Sequence, residues 1–279
     1  MDGSIEKYYD TLRRTGGRCI SNCYINGDEI YGSMEEAVYF EYKPDKSLIW
    51  YICERDYFRM YFLISEGRSL DIEKLPDRVC VCNMITTKKR NPTDIMDELQ
   101  QSGFAFHARW NKWIARKADF VTEEHPQRND YKITYEFDHR ICDILNENFD
   151  TYSERLPDET EYEIFMGERD CITAYQKDKI AGFLVYWKPG NFAEVNYVYV
   201  DPQFRGLKLG NMLMNEMFVI NRDSINRCNA WISDGNVSSE SLHGHFGFKI
   251  TDTRNIVFVK EERKQDGRES LTDTCRNDR

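Results

Sequence analysis

Hydrophobic and polar positions alternate with a period of two in several short stretches of the chain and recur with a helical period in others. SLIWYICE and YFRMYFLI predict two strands around a turn at Arg55–Asp56, and RVCVCNMIT predicts a third. PTDIMDELQQ predicts a helix, with Pro92 near its start and Gly103 just past its end. WNKWIARKA predicts a further strand. After a polar break, YKITYEF (Tyr131–Phe137) alternates like a strand, and DHRICDILNENFDTY places Ile141, Ile144 and Leu145 on one helical face. An acidic helical stretch follows around Asp158–Met166. CITAYQ and IAGFLVYW predict strands joined across Lys177–Lys179, and AEVNYVYV (Ala193–Val200) predicts another. Apolar residues at 209, 212, 213, 217 and 220 predict a helix over Leu209–Asn221. CNAWIS, a short helix over Ser238–His245 and the strand KITDTRNIVFVK complete the pattern. The expected fold class is α/β with a mixed sheet.

The segment VTEEHPQRND (Val121–Asp130) is charged and carries Pro and Asn, as linkers do. It predicts an N-terminal α/β domain over residues 1–125 and a second over 126–263. The polar stretch from Lys264 to Arg279 has no period and predicts a disordered tail.

Composition narrows the function class. An apolar fraction of 41% with 14% aromatic residues supports a packed core. The formal charge of −10 speaks against nucleic acid as the main partner, because phosphate binding needs a positive surface. No apolar run approaches the roughly 20 residues of a bilayer span, and MDGSIEKYYD lacks the order of a signal peptide. A soluble, cytoplasmic protein with no membrane partner is expected. Nine cysteines, of which Cys80–Cys82 and Cys19–Cys23 are the closest pairs, do not complete a zinc-ligand set, so free thiols and no metal are expected.

The junction VDPQFRGLKLGNML carries chemistry. A strand ends at Val200, Pro202 stops it, and a loop holding Arg205, Gly206 and Gly210 leads into the amphipathic helix. Backbone N–H groups at such a helix start converge on one point, and the helix dipole adds partial positive charge there, which suits a diphosphate. Arg205 adds a fixed cation. An ordinary strand-to-helix turn is the alternative. A second motif, N-x-x-S-x-x-L-H-x-x-x-G-F, runs from Asn236 to Phe248 after the next strand.

Together the loop, this motif and the element order resemble the GNAT superfamily of N-acetyltransferases, over about Asp130 to Lys260. The family's loop signature, Q/R-x-x-G-x-G/A, runs here as Arg205-Gly206-Leu207-Lys208-Leu209-Gly210, with Lys208 in place of the central glycine. Lysine takes left-handed backbone angles less readily than glycine, while its ammonium is placed to add a phosphate contact. The resemblance implies acetyl-CoA as co-substrate and the segment from Glu194 to Asn221 as its holder. It implies a bulged strand before the loop, with the Val198 N–H polarising the thioester carbonyl and Val200 contacting pantetheine. Glu194 stands where many family members carry a general base, with the side-chain parity of Val198 and Val200 before any bulge. His243 takes the place of the family's tyrosine, as proton donor to the leaving thiolate, or as a residue that lines the cofactor channel or caps local backbone. Asn236 is expected to bond pantetheine or a nearby backbone group, or to cap its helix.

The resemblance places the acceptor between the first two helices and the later strands. Asp150–Asp170 holds eight acids against Arg155 and Arg169, a solvated helix face or an attractor for a cationic amine. The expected partner is a small-molecule or peptide amine. ELQQSGFAFHARWNKWIAR (Glu98–Arg116) parallels the closing helix–Gly-Phe–strand unit, Gly103-Phe104 matching Gly247-Phe248. It implies a tandem arrangement whose degenerate first copy supports the active domain, covers part of the acceptor site or makes a homodimer contact. Two other functions fit the same features: a non-catalytic coenzyme-A sensor or scaffold, and a tandem aminoacyl-tRNA-dependent transferase.

Overall fold

The computed structural model describes residues 4–15, 18–22, 27–123, 130–154, 156–157 and 161–262. Cys23, the centre of the expected linker, Arg155, Asp158, Glu159 and the expected tail lie outside the described residues. In chain order the first half forms α1 (Ile5–Thr15), β1 (Cys19–Ser21), α2 (Gly27–Glu35), β2 (Ala37–Lys43), β3 (Ser47–Glu54), β4 (Tyr57–Ser65), β5 (Cys80–Thr86), α3 (Thr93–Gln101) and β6 (Ala105–Arg116). The second half forms β7 (Lys132–Thr134), α4 (Arg140–Asn148), α5 (Tyr162–Gly167), β8 (Asp170–Gln176), β9 (Lys179–Trp187), β10 (Phe192–Val200), α6 (Leu209–Asn221), β11 (Arg227–Ser233), α7 (Val237–His245) and β12 (Lys249–Lys260). The elements α1, β1, α2 and β2 were not anticipated by the hydrophobic pattern, and β7 is shorter than the alternation in YKITYEF predicts. No helix among the described residues is long and apolar enough to cross a membrane.

The chain forms two compact units, Met1–Arg109 with Arg254–Arg279, and Trp110–Thr253. This division differs from the expected one at 125/126. Strand pairing decides it: β6 runs into the second unit and pairs with β11 from Arg227↔Arg116 to Ser233↔Trp110. β12 runs into the first unit and pairs with β5 from Arg254↔Thr86 to Lys260↔Cys80. Each half of the sequence thus contributes its last strand to the other unit.

In unit 1 the strand order is β2-β3-β4-β5-β12. β3 is buried along most of its length because both faces are covered. Leu48, Trp50 and Ile52 pack with Ile5, Tyr9 and Leu12 of α1. Ile49 and Tyr51 pack with Met60, Phe62 and, from α3, Ile95 and Leu99. β4 and β5 pair in parallel only at Phe58↔Cys80 and Arg59↔Val81. Beyond that point β1 pairs with β4, from Cys19↔Ser65 to Ser21↔Leu63. Asn22, 5% exposed, donates from Nδ2 to the Met60 carbonyl at 2.9 Å and accepts from the Phe62 N–H at 2.7 Å. The chain's own segment therefore satisfies the backbone that the parting of β4 from β5 leaves behind.

Unit 2 has the order β6-β11-β10-β9-β8-β7. One face packs under α6 through Leu209, Leu213, Met217 and Phe218. The other packs under α4 and α5 through Ile141, Leu145 and Phe165. The units share the parallel strand pair, the following helix and its termination. α3 and α7 end alike: the Phe104 N–H donates to Leu99 O at 3.0 Å and the Phe248 N–H to His243 O at 3.1 Å, across Gly103 (φ 91°) and Gly247 (φ 86°). These are helix ends closed by a left-handed glycine and a buried aromatic residue.

Candidate active site

β10 buries every second residue, but its register against β9 slips between Val195 and Tyr197, so Asn196 is a bulge. Before the bulge Ala193 and Val195 face the core under α6. After it Val198 and Val200 take that side, while Tyr197 and Tyr199 turn to the core under α4 and α5. Glu194 alternates with Ala193 and Val195 and therefore shares the face of Tyr197 and Tyr199. Simple parity places it with Val198 and Val200; the extra residue reverses that.

β10 and β11 pair in parallel only from Phe192↔Arg227 to Val195↔Ala230, after which the strands part. The Asp201 N–H donates to Ala181 O at 3.0 Å on the β9 side. Antiparallel ladders alternate, so Tyr199 and Tyr197 also exchange bonds with β9, and Val198 and Val200 point their backbone groups toward the side that β11 has left. The Val200 carbonyl on that side accepts from Arg205 Nε at 3.1 Å. The N–H groups of Val198 and Val200 have no ladder partner among the described residues.

The loop after β10 is stiffened where it leaves the sheet. Asp201 accepts from the Gln203 N–H at 2.9 Å and pairs with Lys179 at 3.0 Å. Gly206 has φ 77° and Lys208 φ 59°, so the chain demands a left-handed residue where the lysine stands. Lys208 is the N-cap of α6 and makes no side-chain cap bond. The first-turn N–H groups of Leu209, Gly210 and Asn211 thus end at the positive pole of a 13-residue helix without intrahelical acceptors. Arg205, Gly206, Leu207 and Lys208 are exposed, whereas Leu209 is a core residue. A Cβ at Gly210 meets only Leu242 at 3.5 Å and Val200 at 3.8 Å, ordinary contacts. The fold itself does not demand glycine there.

On α7, Asn236 Oδ1 accepts from the Ser239 N–H at 3.1 Å, a helix cap. His243 is 3% exposed, with Nδ1 2.8 Å from the Ser239 carbonyl and its ring edge-on to Phe248 at 5.0 Å. Burial lowers its pKa to about 4, and its buried Nε2 has no hydrogen-bond partner among the described residues.

Asn229, which the spacing does not single out, is the register partner of Glu194. It is 3% exposed, and its Oδ1 has no partner among the described residues. The signal for it was a polar residue between apolar neighbours in CNAWIS. The acidic stretch is not uniformly charged: Asp150 accepts from the Tyr152 N–H and from Ser153 Oγ. Burial, and then the Asp150 carboxylate, push Glu154 up to about 8. Glu163, Glu168 and Asp170 are exposed.

The parted parallel strand pair and the uncapped helix start lie within the segment that carries the family resemblance. Residues 139–248 match the Acetyltransferase (GNAT) family, and this part of the chain is a GNAT domain. A GCN5-related N-acetyltransferase from Sphaerobacter thermophilus is similar at 12% identity and TM-score 0.59, over 93% of this chain and 92% of that one. A tandem GNAT protein from the clavulanic acid biosynthesis pathway is similar at 12% identity and TM-score 0.58, over 94% of this chain and 96% of that one. A GCN5-related N-acetyltransferase from Kribbella flavida is similar at 11% identity and TM-score 0.51, over 83% of this chain and 92% of that one. No curated protein matches the sequence. The shared feature at these identities is the fold, and it is the tandem GNAT fold over nearly the whole chain.

Proposed function

We propose that unit 2 transfers an acetyl group from acetyl-CoA to a primary amine by direct attack in a ternary complex. One observation carries this reading: β10 leaves β11 after Val195, has N–H groups at Val198 and Val200 without a ladder partner among the described residues, and leads through a 3-10 turn at Pro202–Phe204 to the open N-terminus of α6. An extended, amide-bearing arm ending in a diphosphate suits both features. Unit 1 supports this by analogy, since it fills the corresponding gap with a strand and an amide side chain of its own.

In this reading the first-turn amides of α6, with Arg205 and Lys208, hold the diphosphate. Gly210 leaves room for it. The Val198 N–H stabilises negative charge developing on the thioester oxygen. Glu194 receives the proton that the amine must lose, directly or through water. The C–N bond forms as the C–S bond breaks, and coenzyme A departs as a thiolate. A thiolate with an ordinary pKa of about 8.5 is a competent leaving group, so no donated proton is required of His243.

Calorimetry of acetyl-CoA binding to wild type and to Gly210→Val tests the proposal. Wild type should bind and the variant should fold but not bind; a folded wild type that gives no heat sinks the proposal. Lys208, standing left-handed where the loop signature has glycine, favours one second reading, a coenzyme-A-binding sensor without turnover. Thiol release from acetyl-CoA across a panel of amines separates the two, and Glu194→Gln should lower kcat most at low pH, where free amine is scarce.

A further inference from the structure

We infer that the acceptor is a primary amine bearing an anionic group, with its nitrogen at Glu194 and Asn229 and its anion at Arg116 and Arg227. This rests on the acetyltransferase reading above and adds the chemistry of the acceptor. Two rows of side chains lie on one face of unit 2. Ile114, Asn229 and Glu194 are register partners across β6, β11 and β10, and so are Arg116, Arg227 and Phe192. The second row is two residues along each strand, so it shares the face, about 7 Å away.

The first row sets two acceptors side by side, the Asn229 Oδ1 and the Glu194 carboxylate. The Asn229 Oδ1 is buried without a partner among the described residues, and a native protein seldom leaves such a group orphaned unless something else supplies the donor. An amine N–H is that donor, and the adjacent Glu194 carboxylate takes a second one.

The second row is cationic in a chain whose formal charge is −10. Like charges directly opposite across an antiparallel ladder are unfavourable, yet Arg116 and Arg227 stand opposite each other with no acid paired to either among the described residues. The Arg227 guanidinium lies 5.3 Å over the Phe192 ring, which orients it. Two adjacent guanidinium groups suit a carboxylate or a phosphate. The order along β10 also fits. The coenzyme end is at Val198–Val200, the amine row is at Glu194, and the arginine row is farther on at Phe192. An acceptor lying along the strand therefore points its anion away from the coenzyme.

The test compares four amines of similar length: γ-aminobutyrate, aminopropylphosphonate, butylamine and putrescine. Wild type should favour the two anionic amines over butylamine in kcat/KM by at least tenfold, and their ratio identifies the anion as carboxylate-like or phosphate-like. The double variant Arg116→Glu, Arg227→Glu should lose that selectivity at least tenfold while acetyl-CoA binds with unchanged heat. Preference of wild type for putrescine or butylamine, or retained selectivity in the double variant, overturns the inference. A thermal upshift by aminopropylphosphonate, present in wild type and absent in the double variant, reads the arginine pair without turnover; no upshift in wild type counts against it. Absence of acetyl-CoA binding instead removes the acetyltransferase reading, and the upshift still decides the anion site. Asn229→Leu should melt no lower than wild type while KM for the amine rises. A lower melting temperature would assign Asn229 to packing and overturn its part.

Discussion

His243 donates its Nδ1–H to the Ser239 carbonyl across 2.8 Å. A carbonyl can only accept, so the ring carries its proton on Nδ1 and presents a bare Nε2 to a buried space. With its pKa lowered to about 4 by burial, the imidazole is neutral throughout the physiological range. In the unfolded chain it takes up a proton near the ordinary value of 6.5. At this residue the unfolded state therefore binds more protons between about pH 4 and 6.5, so the contribution of His243 to stability rises with pH across that window and is flat above it. The full effect is roughly 3 kcal/mol. Urea denaturation of wild type and His243→Gln from pH 4 to 8 should give curves that converge toward low pH. Parallel curves would remove this account. A kcat profile unchanged in shape by the substitution is also expected.

Lys208 occupies a left-handed backbone position in the loop proposed to hold the coenzyme. That conformation costs a non-glycine residue about 1 kcal/mol. Lys208→Gly should raise stability by about 0.5–1 kcal/mol, read as a higher melting temperature. The same change removes a cation from the diphosphate site, so acetyl-CoA should bind more weakly, and more so at low salt. A variant that is both less stable and equally tight in binding would contradict both halves of the argument.

Glu154 is held up to about 8 by burial and by Asp150. Its folded form keeps a proton that the unfolded chain releases near 4.5. The stability it contributes is complete below about pH 4.5 and is lost as pH rises toward 8. Glu154→Gln should match wild type at pH 4.5 and become the more stable of the two as pH increases. Equal stabilities at pH 8 would show that the carboxyl is not desolvated.

Asn22 bonds two backbone groups of β4 in unit 1. Asn22→Ala leaves a buried carbonyl and a buried N–H unmatched, at about 1–3 kcal/mol each. The melting temperature should fall by several degrees, with acetyl-CoA affinity of the remaining folded protein unchanged. Loss of acetyl-CoA binding by folded Asn22→Ala would place a coenzyme site in unit 1 and contradict its assignment to unit 2.

Much of the fold was legible in the chain. The strand β10 and the helices α3 and α6 carry periodic apolar positions and β9 is one continuous apolar run, and such patterns are local properties that need no knowledge of partners. The proposed coenzyme loop stands out in the sequence for the same reason, because Arg205, Gly206 and Gly210 lie within six residues of one another. The helix α1, rich in charge, and the three-residue β1 have too little local signal, and they are ordered by what they pack against.

Tertiary structure alone decided three things. Chain order suggested a cut in the polar stretch after Val121, but β6 and β12 each pair with a strand of the other half. A hydrogen-bond ladder joins residues by position in space, whatever their distance along the chain. The bulge at Asn196 turned Glu194 to the face of Tyr197, because a single extra residue inverts a period of two. Burial settled the proton of His243, which a sequence shows only as a histidine. Local spacing thus determined which elements exist and where a diphosphate could be gripped; pairing and burial determined which side chains meet beside it.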